Sequence, residues 1–101
     1  MEDTDWPFSD PPNTAAYTTS QVLQGACILS VWHDNGDFQF LDRELPDEAD
    51  ARIVGLGTIM RHDPSVGEVA DLPEGWVAWR LSEGDPWTRC PVVRLITDHQ
   101  G

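Results

Sequence analysis

Two stretches rich in β-branched and aromatic residues, Ala26 to His33 and Phe38 to Asp42, flank the polar tetrapeptide Asp34-Asn35-Gly36-Asp37. Asn-Gly between two such runs is a strong short-range hairpin signal, because a type I′ turn needs positive φ at both central residues. A two-residue loop at Asn35-Gly36 pairs His33 with Phe38 and Val31 with Phe40. Side chains alternate between the faces of a strand. Leu29, Val31, Phe38 and Phe40 are therefore expected on the core face, with Ile28, Trp32 and Leu41 on the other.

A second patterned stretch runs from Asp63 to Arg89. Asp63 can cap a helix whose first residue is Pro64, where the missing N–H costs nothing. Val66, Val69 and Ala70 fall on one face of that short helix. Pro73 ends it, and Glu74-Gly75 turns the chain into a strand from Trp76 to Leu81. Period two divides this strand into Val77, Trp79 and Leu81 against Trp76, Ala78 and Arg80. The first set is the more apolar and is expected to face the core.

The remaining elements are shorter. Residues 1–13 form an acidic, proline-rich extended segment, tied down from Trp6 and Phe8 onward. Ala15 to Tyr17 reads as an edge strand, and Thr18 to Gln21 as a capping box opening a two-turn helix that ends near Gly25. Arg43 to Asp50 is a polar connection, Arg52 to Leu56 a strand and Gly57 to His62 a helical turn or two. Cys90 to Thr97 reads as a last strand, with Pro91 suiting an edge. Residues 98–101 are a frayed tail after a folded core over 14–97. The whole is one domain of the α+β class: a mostly antiparallel sheet of about four to six short strands, with two or three short helices on one face.

Charge narrows the function classes. The chain holds 101 residues with 18 acids against six basic residues, none of them lysine, for a net charge of −12. Binding of nucleic acid is excluded on that balance, because phosphate neutralisation needs a basic face. No run of about 18 apolar residues is present for a membrane span. The acidic start lacks the apolar segment of a signal peptide, so a cytoplasmic location is expected. Three readings of the acidity remain: solubility, a salt-rich cytosol, or an inhibitor steered onto a basic protein partner.

Catalytic chemistry has little support. His33, His62 and His99 lack metal-ligand spacing and read as surface or turn residues. Asp34, Asn35 and Asp37 miss the calcium-loop spacing and are accounted for by the hairpin. No nucleophile elbow, P-loop or dinucleotide fingerprint occurs. No catalytic residue, metal site or cofactor is therefore expected. Cys27, in an expected strand, and Cys90 read as small apolar residues, with a disulfide between them left open. The remaining candidate is a partner-binding surface of Trp76, Arg80, Trp87 and Arg89, since tryptophan and arginine are enriched at interface hot spots. Against it stands burial of the same tryptophans in the sheet or under Trp6-Pro7-Phe8.

The segments D-P-P-N at 10–13, T-T-S-Q-V-L-Q-G at 18–25, F-Q-F at 38–40, A-R-I-V-G-L-G at 51–57, D-P-S-V at 63–66, D-L-P-E-G-W-V-A-W-R at 71–80 and P-W-T-R at 86–89 together resemble a family of short, uncharacterised bacterial proteins. That family is distantly similar to immunity proteins of bacterial toxin systems. The resemblance implies a binding role and supplies no catalytic residues. The expected function is a non-catalytic protein-binding domain. The alternatives are an immunity-type inhibitor of a basic toxin, or a small-molecule-binding domain with a pocket lined by Trp76, Trp79 or Trp87.

Overall fold

A computed structural model describes residues 6–42 and 48–92. Its strands are β1 (Ala15–Thr19), β2 (Ser30–Asp34), β3 (Asp37–Leu41), β4 (Ala51–Gly55), β5 (Trp76–Trp79) and β6 (Thr88–Pro91). The helices among the described residues are α1 (Ser20–Leu23), α2 (Leu56–His62) and 3-10 helices at Glu48–Asp50 and Pro64–Val69. The strands form one sheet in the order β4-β1-β3-β2-β5-β6. β1 runs parallel to β3, and every other neighbouring pair is antiparallel. This is the expected α+β class. Among the described residues no helix is long and apolar enough to cross a membrane.

The β2–β3 hairpin has the expected register, with Val31 opposite Phe40 and His33 opposite Phe38. Asn35 and Gly36 take φ of 54° and 81°, the positive values a type I′ turn requires. The expected faces hold for Val31, Phe38 and Phe40 but not for Ile28 and Leu29. β2 begins only at Ser30, so the alternation does not extend back to them. Ile28 joins the core, while half-exposed Leu29 contributes its backbone, accepting from Arg80 N and donating to Leu41 O.

β1 is not an edge strand. It lies between β3 and β4, in register with β4 from Ala15–Gly55 to Thr19–Ala51. That pairing spans more than thirty residues of chain and leaves no local signature. Because Thr18 belongs to the sheet, where its hydroxyl donates to Phe40 O at 2.7 Å, the helix cap moves to Thr19. The Thr19 hydroxyl accepts from Val22 N, and Gln21 donates to Asp50 rather than closing a capping box.

The core fills one face of the sheet. Phe8, Ala16, Val22, Ile28, Val31, Phe38, Phe40, Leu56, Ile59, Val66, Val69, Leu72 and Ala78 form a single buried cluster. Phe8 meets the Phe38 and Phe40 rings edge-on at 5.2 and 6.4 Å, so the segment from Trp6 packs over the domain as expected. Asp63 caps the 3-10 helix by accepting from Ser65 N at 3.0 Å, with Pro64 first in the helix. The three-residue turn brings Val66 and Val69 to the same buried face.

The two faces of β5 are the reverse of the expectation. Ala78 and Arg80 are buried and Trp76 packs on the core, whereas Trp79 and Leu81 are 41% and 81% exposed. The register explains this: Trp76 and Ala78 lie opposite His33 and Val31, and Val31 faces the core. Leu81 lies beyond the end of the strand. Cys27 sits outside any strand and is exposed. β6 starts two residues before the expected strand, and Pro91 lies on an edge as foreseen. Val92 is described but is not in the strand; residues 93–97 of the expected strand, the tail 98–101, most of the 43–50 connection and residues 1–5 fall outside the described residues.

Candidate functional site

Trp76, Arg80, Trp87 and Arg89 do share one side of the sheet, but it is the helical side. Arg80 is only 4% exposed. Its Nε donates to Ile28 O at 3.1 Å, Nη1 to Ser65 Oγ at 3.0 Å and Nη2 to Asp63 Oδ2 at 2.8 Å. The guanidinium carbon stands 4.1 Å from the ring centroid of Trp87. Trp87 Nε1 in turn donates to Ser65 O at 3.3 Å. Arg89 donates to Glu68 O and pairs with Asp71 at 2.9 Å. Arg80 does stack on a tryptophan, but it is buried; Trp76 and Trp87 are half-buried, and Arg89 alone of the four is exposed. Here the set fastens residues 63–71 to β5 and β6, with Arg80 as its buried centre. A lone buried charge is very costly, so the complete partner set is what lets Arg80 sit there.

The other sequence candidates resolve into structural parts. His33 is neither a surface nor a turn residue. It is half-buried, with its ring stacked on Phe38 at 4.1 Å and 9° and its Nδ1 donating to Leu72 O at 2.6 Å. Asp34 to Asp37 form the hairpin turn. Among the described residues, no group of three or more His, Cys, Asp or Glu side chains could hold a metal. Cys27 and Cys90 are free thiols. Cys27 donates to Glu83 Oε1 at 3.4 Å, and this hydrogen bond, with the carboxylate's charge, raises the thiol pKa.

A different surface emerges on the face of the sheet that the core does not use. Across it, Ile53, Tyr17, Gln39, Trp32, Val77 and Cys90 follow one another in register from β4 to β6. Leu41, Ser30 and Trp79 form part of the next row. Val77 and Leu41 are buried here, outside the main cluster, while Ile53 and Tyr17 are 64% and 38% exposed. A shallow groove of about 330 Å³ at one end is lined by residues that include Tyr17, Thr19, Asp34, Asp37, Gln39 and Leu41. The sequence signal was partial. Trp32 and Leu41 could be assigned to a second hairpin face, but the strands that add Tyr17, Ile53 and Trp79 beside them were not identifiable as neighbours. Comparisons with protein-family models, with curated proteins and with solved structures find no match for this chain.

Proposed function

We propose that this chain is a non-catalytic cytoplasmic domain that acts by binding another protein. The observation that carries this reading is the presence of Ile53, Tyr17, Trp32 and Trp79, each at least partly exposed, on the sheet face opposite the core. Exposed apolar side chains scattered singly are ordinary, whereas a contiguous set is a feature of interaction surfaces. Tyrosine and tryptophan are effective there because each combines a large apolar area with a polar tip. The groove on that face has no tryptophan in its lining, which favours a protein over a small ligand held in a Trp-lined pocket.

An immunity-type inhibitor of a basic toxin is a second reading, supported by the net charge of −12. The test of the broader function is affinity capture from an extract of the source cells, followed by reconstitution from purified components. A saturable complex with one protein is expected. Failure to reconstitute any protein complex, together with stabilisation by a low-molecular-weight fraction of the extract, would reject protein binding.

A further inference from the structure

We infer that the contact surface is the open face of the sheet and that its occupant is a basic protein surface presenting arginine and lysine side chains. The inference rests on the protein-binding reading and adds to it the place of contact and the partner's chemistry.

Charge is segregated across the sheet. Arg52 lies opposite Thr18, which shares its face with the core residue Ala16. Arg89 lies opposite Ala78, and Arg80 is buried against Asp63. All three therefore belong to the helical side. On the open face the charged strand residues among those described are Asp34 and Asp37. Both are exposed, both line the groove, and they face each other across the hairpin end beside Tyr17. The face is therefore aromatic at its centre and acidic at one end, and the described strands place no cation on it.

A partner's arginine or lysine fits both parts. Its aliphatic stem can lie along Gln39 and the Tyr17 ring, and its cationic head can reach the Asp34–Asp37 end. Exposed ion pairs are individually weak, so the aromatic row supplies most of the affinity and the carboxylates supply orientation and a faster encounter. The same segregation disfavours other occupants. A second copy of this chain would bring two acidic faces together, and an anionic lipid surface or nucleic acid would be repelled in the same way.

The deciding experiment is an NMR titration of the isotopically labelled protein with a deca-arginine peptide, with a deca-serine peptide as control. Three variants are compared with the parent: Tyr17→Ala/Trp79→Ala, Asp34→Asn/Asp37→Asn, and Glu68→Gln/Asp71→Asn on the helical side. Unchanged Phe40 and Leu56 amide signals certify each fold. Shifts are expected at Tyr17, Trp32, Gln39 and the Trp79 indole. Affinity should fall roughly threefold or more in either open-face variant, hold in the third, and weaken between about 50 and about 200 mM salt. Shifts on the helical side, shifts spread evenly over the acidic surface, or none would overturn the inference. A natural partner that binds all three variants equally well would remove this surface while leaving protein binding intact. Failure to find any protein partner would instead count against the broader reading.

Discussion

Arg80 and Asp63 meet at 2.8 Å with side chains 1% and 9% exposed, so seventeen residues of chain are closed by one buried ion pair. The Asp63 carboxylate also accepts from Ser65 N and Ser65 Oγ, and the Arg80 guanidinium also donates to Ile28 O and Ser65 Oγ. Removing one partner leaves the other charge buried without its counterpart. Arg80→Ala is expected to cost about 3–5 kcal/mol. Arg89→Ala, which breaks the more exposed pair with Asp71, should cost about 1 kcal/mol or less. Urea denaturation of the two variants checks the contrast, and equal losses would show that Arg80 is not the anchor.

Phe8 ties the N-terminal segment to the core through its edge-on contacts with Phe38 and Phe40. Truncation to alanine opens a void among residues that are themselves buried. The expected loss for Phe8→Ala is about 3–5 kcal/mol, again read from urea midpoints. A loss well below that would mean the segment only rests on the surface.

The hairpin turn offers a test free of packing effects. A Cβ at Gly36 would meet Glu74 Oε2 at 3.7 Å, an ordinary contact, yet its φ of 81° strains any residue with a side chain. Gly36→Ala should therefore cost about 1–2 kcal/mol through the backbone alone. Asn35→Gly, at φ 54°, should be close to neutral. The pair is compared by thermal unfolding, and similar losses for both would contradict a type I′ turn.

The Cys27 thiol is exposed but donates to Glu83, and that carboxylate pushes its pKa up. Since the thiolate is the reactive form, a raised pKa slows alkylation below it. Glu83→Ala removes the largest cause of the shift and should accelerate iodoacetamide labelling of Cys27 at about pH 8. The rate at Cys90, whose register partner is Val77, serves as the internal reference. An unchanged Cys27 rate would show that the hydrogen bond does not control the thiol.

What the sequence revealed, and what it hid, follows from the range of each interaction. The Asn35-Gly36 turn, the Asp63-Pro64 helix start and a strand expected over 52–56, found at 51–55, are specified by neighbouring residues, and each was readable to within a residue. The face of β5 was not. Period two separates Val77 and Trp79 from Trp76, Ala78 and Arg80, but hydropathy alone favoured the wrong set. Arg80 turns inward because Asp63, Ser65, Trp87 and the Ile28 carbonyl wait there, and three of the four are distant in sequence or in another element. The same limit applied to the candidate site. Tryptophan and arginine did cluster as expected, but whether the cluster faced water depended on strand order. The thirty-odd residues between β1 and β4 concealed that Tyr17 and Ile53 stand side by side.

The interior position of β1, between β4 and β3, constrains how the chain can be assembled. β1 leaves the ribosome before either of its sheet partners, residues 37–41 and 51–55. The β2–β3 hairpin, by contrast, closes over a two-residue loop and needs nothing else to begin. Ala16 and Thr18, fully or nearly buried at the end, must therefore wait in solvent while residues 20–55 are synthesised. A run of five residues, Ala-Ala-Tyr-Thr-Thr, with a single large side chain among them, is well suited to that delay.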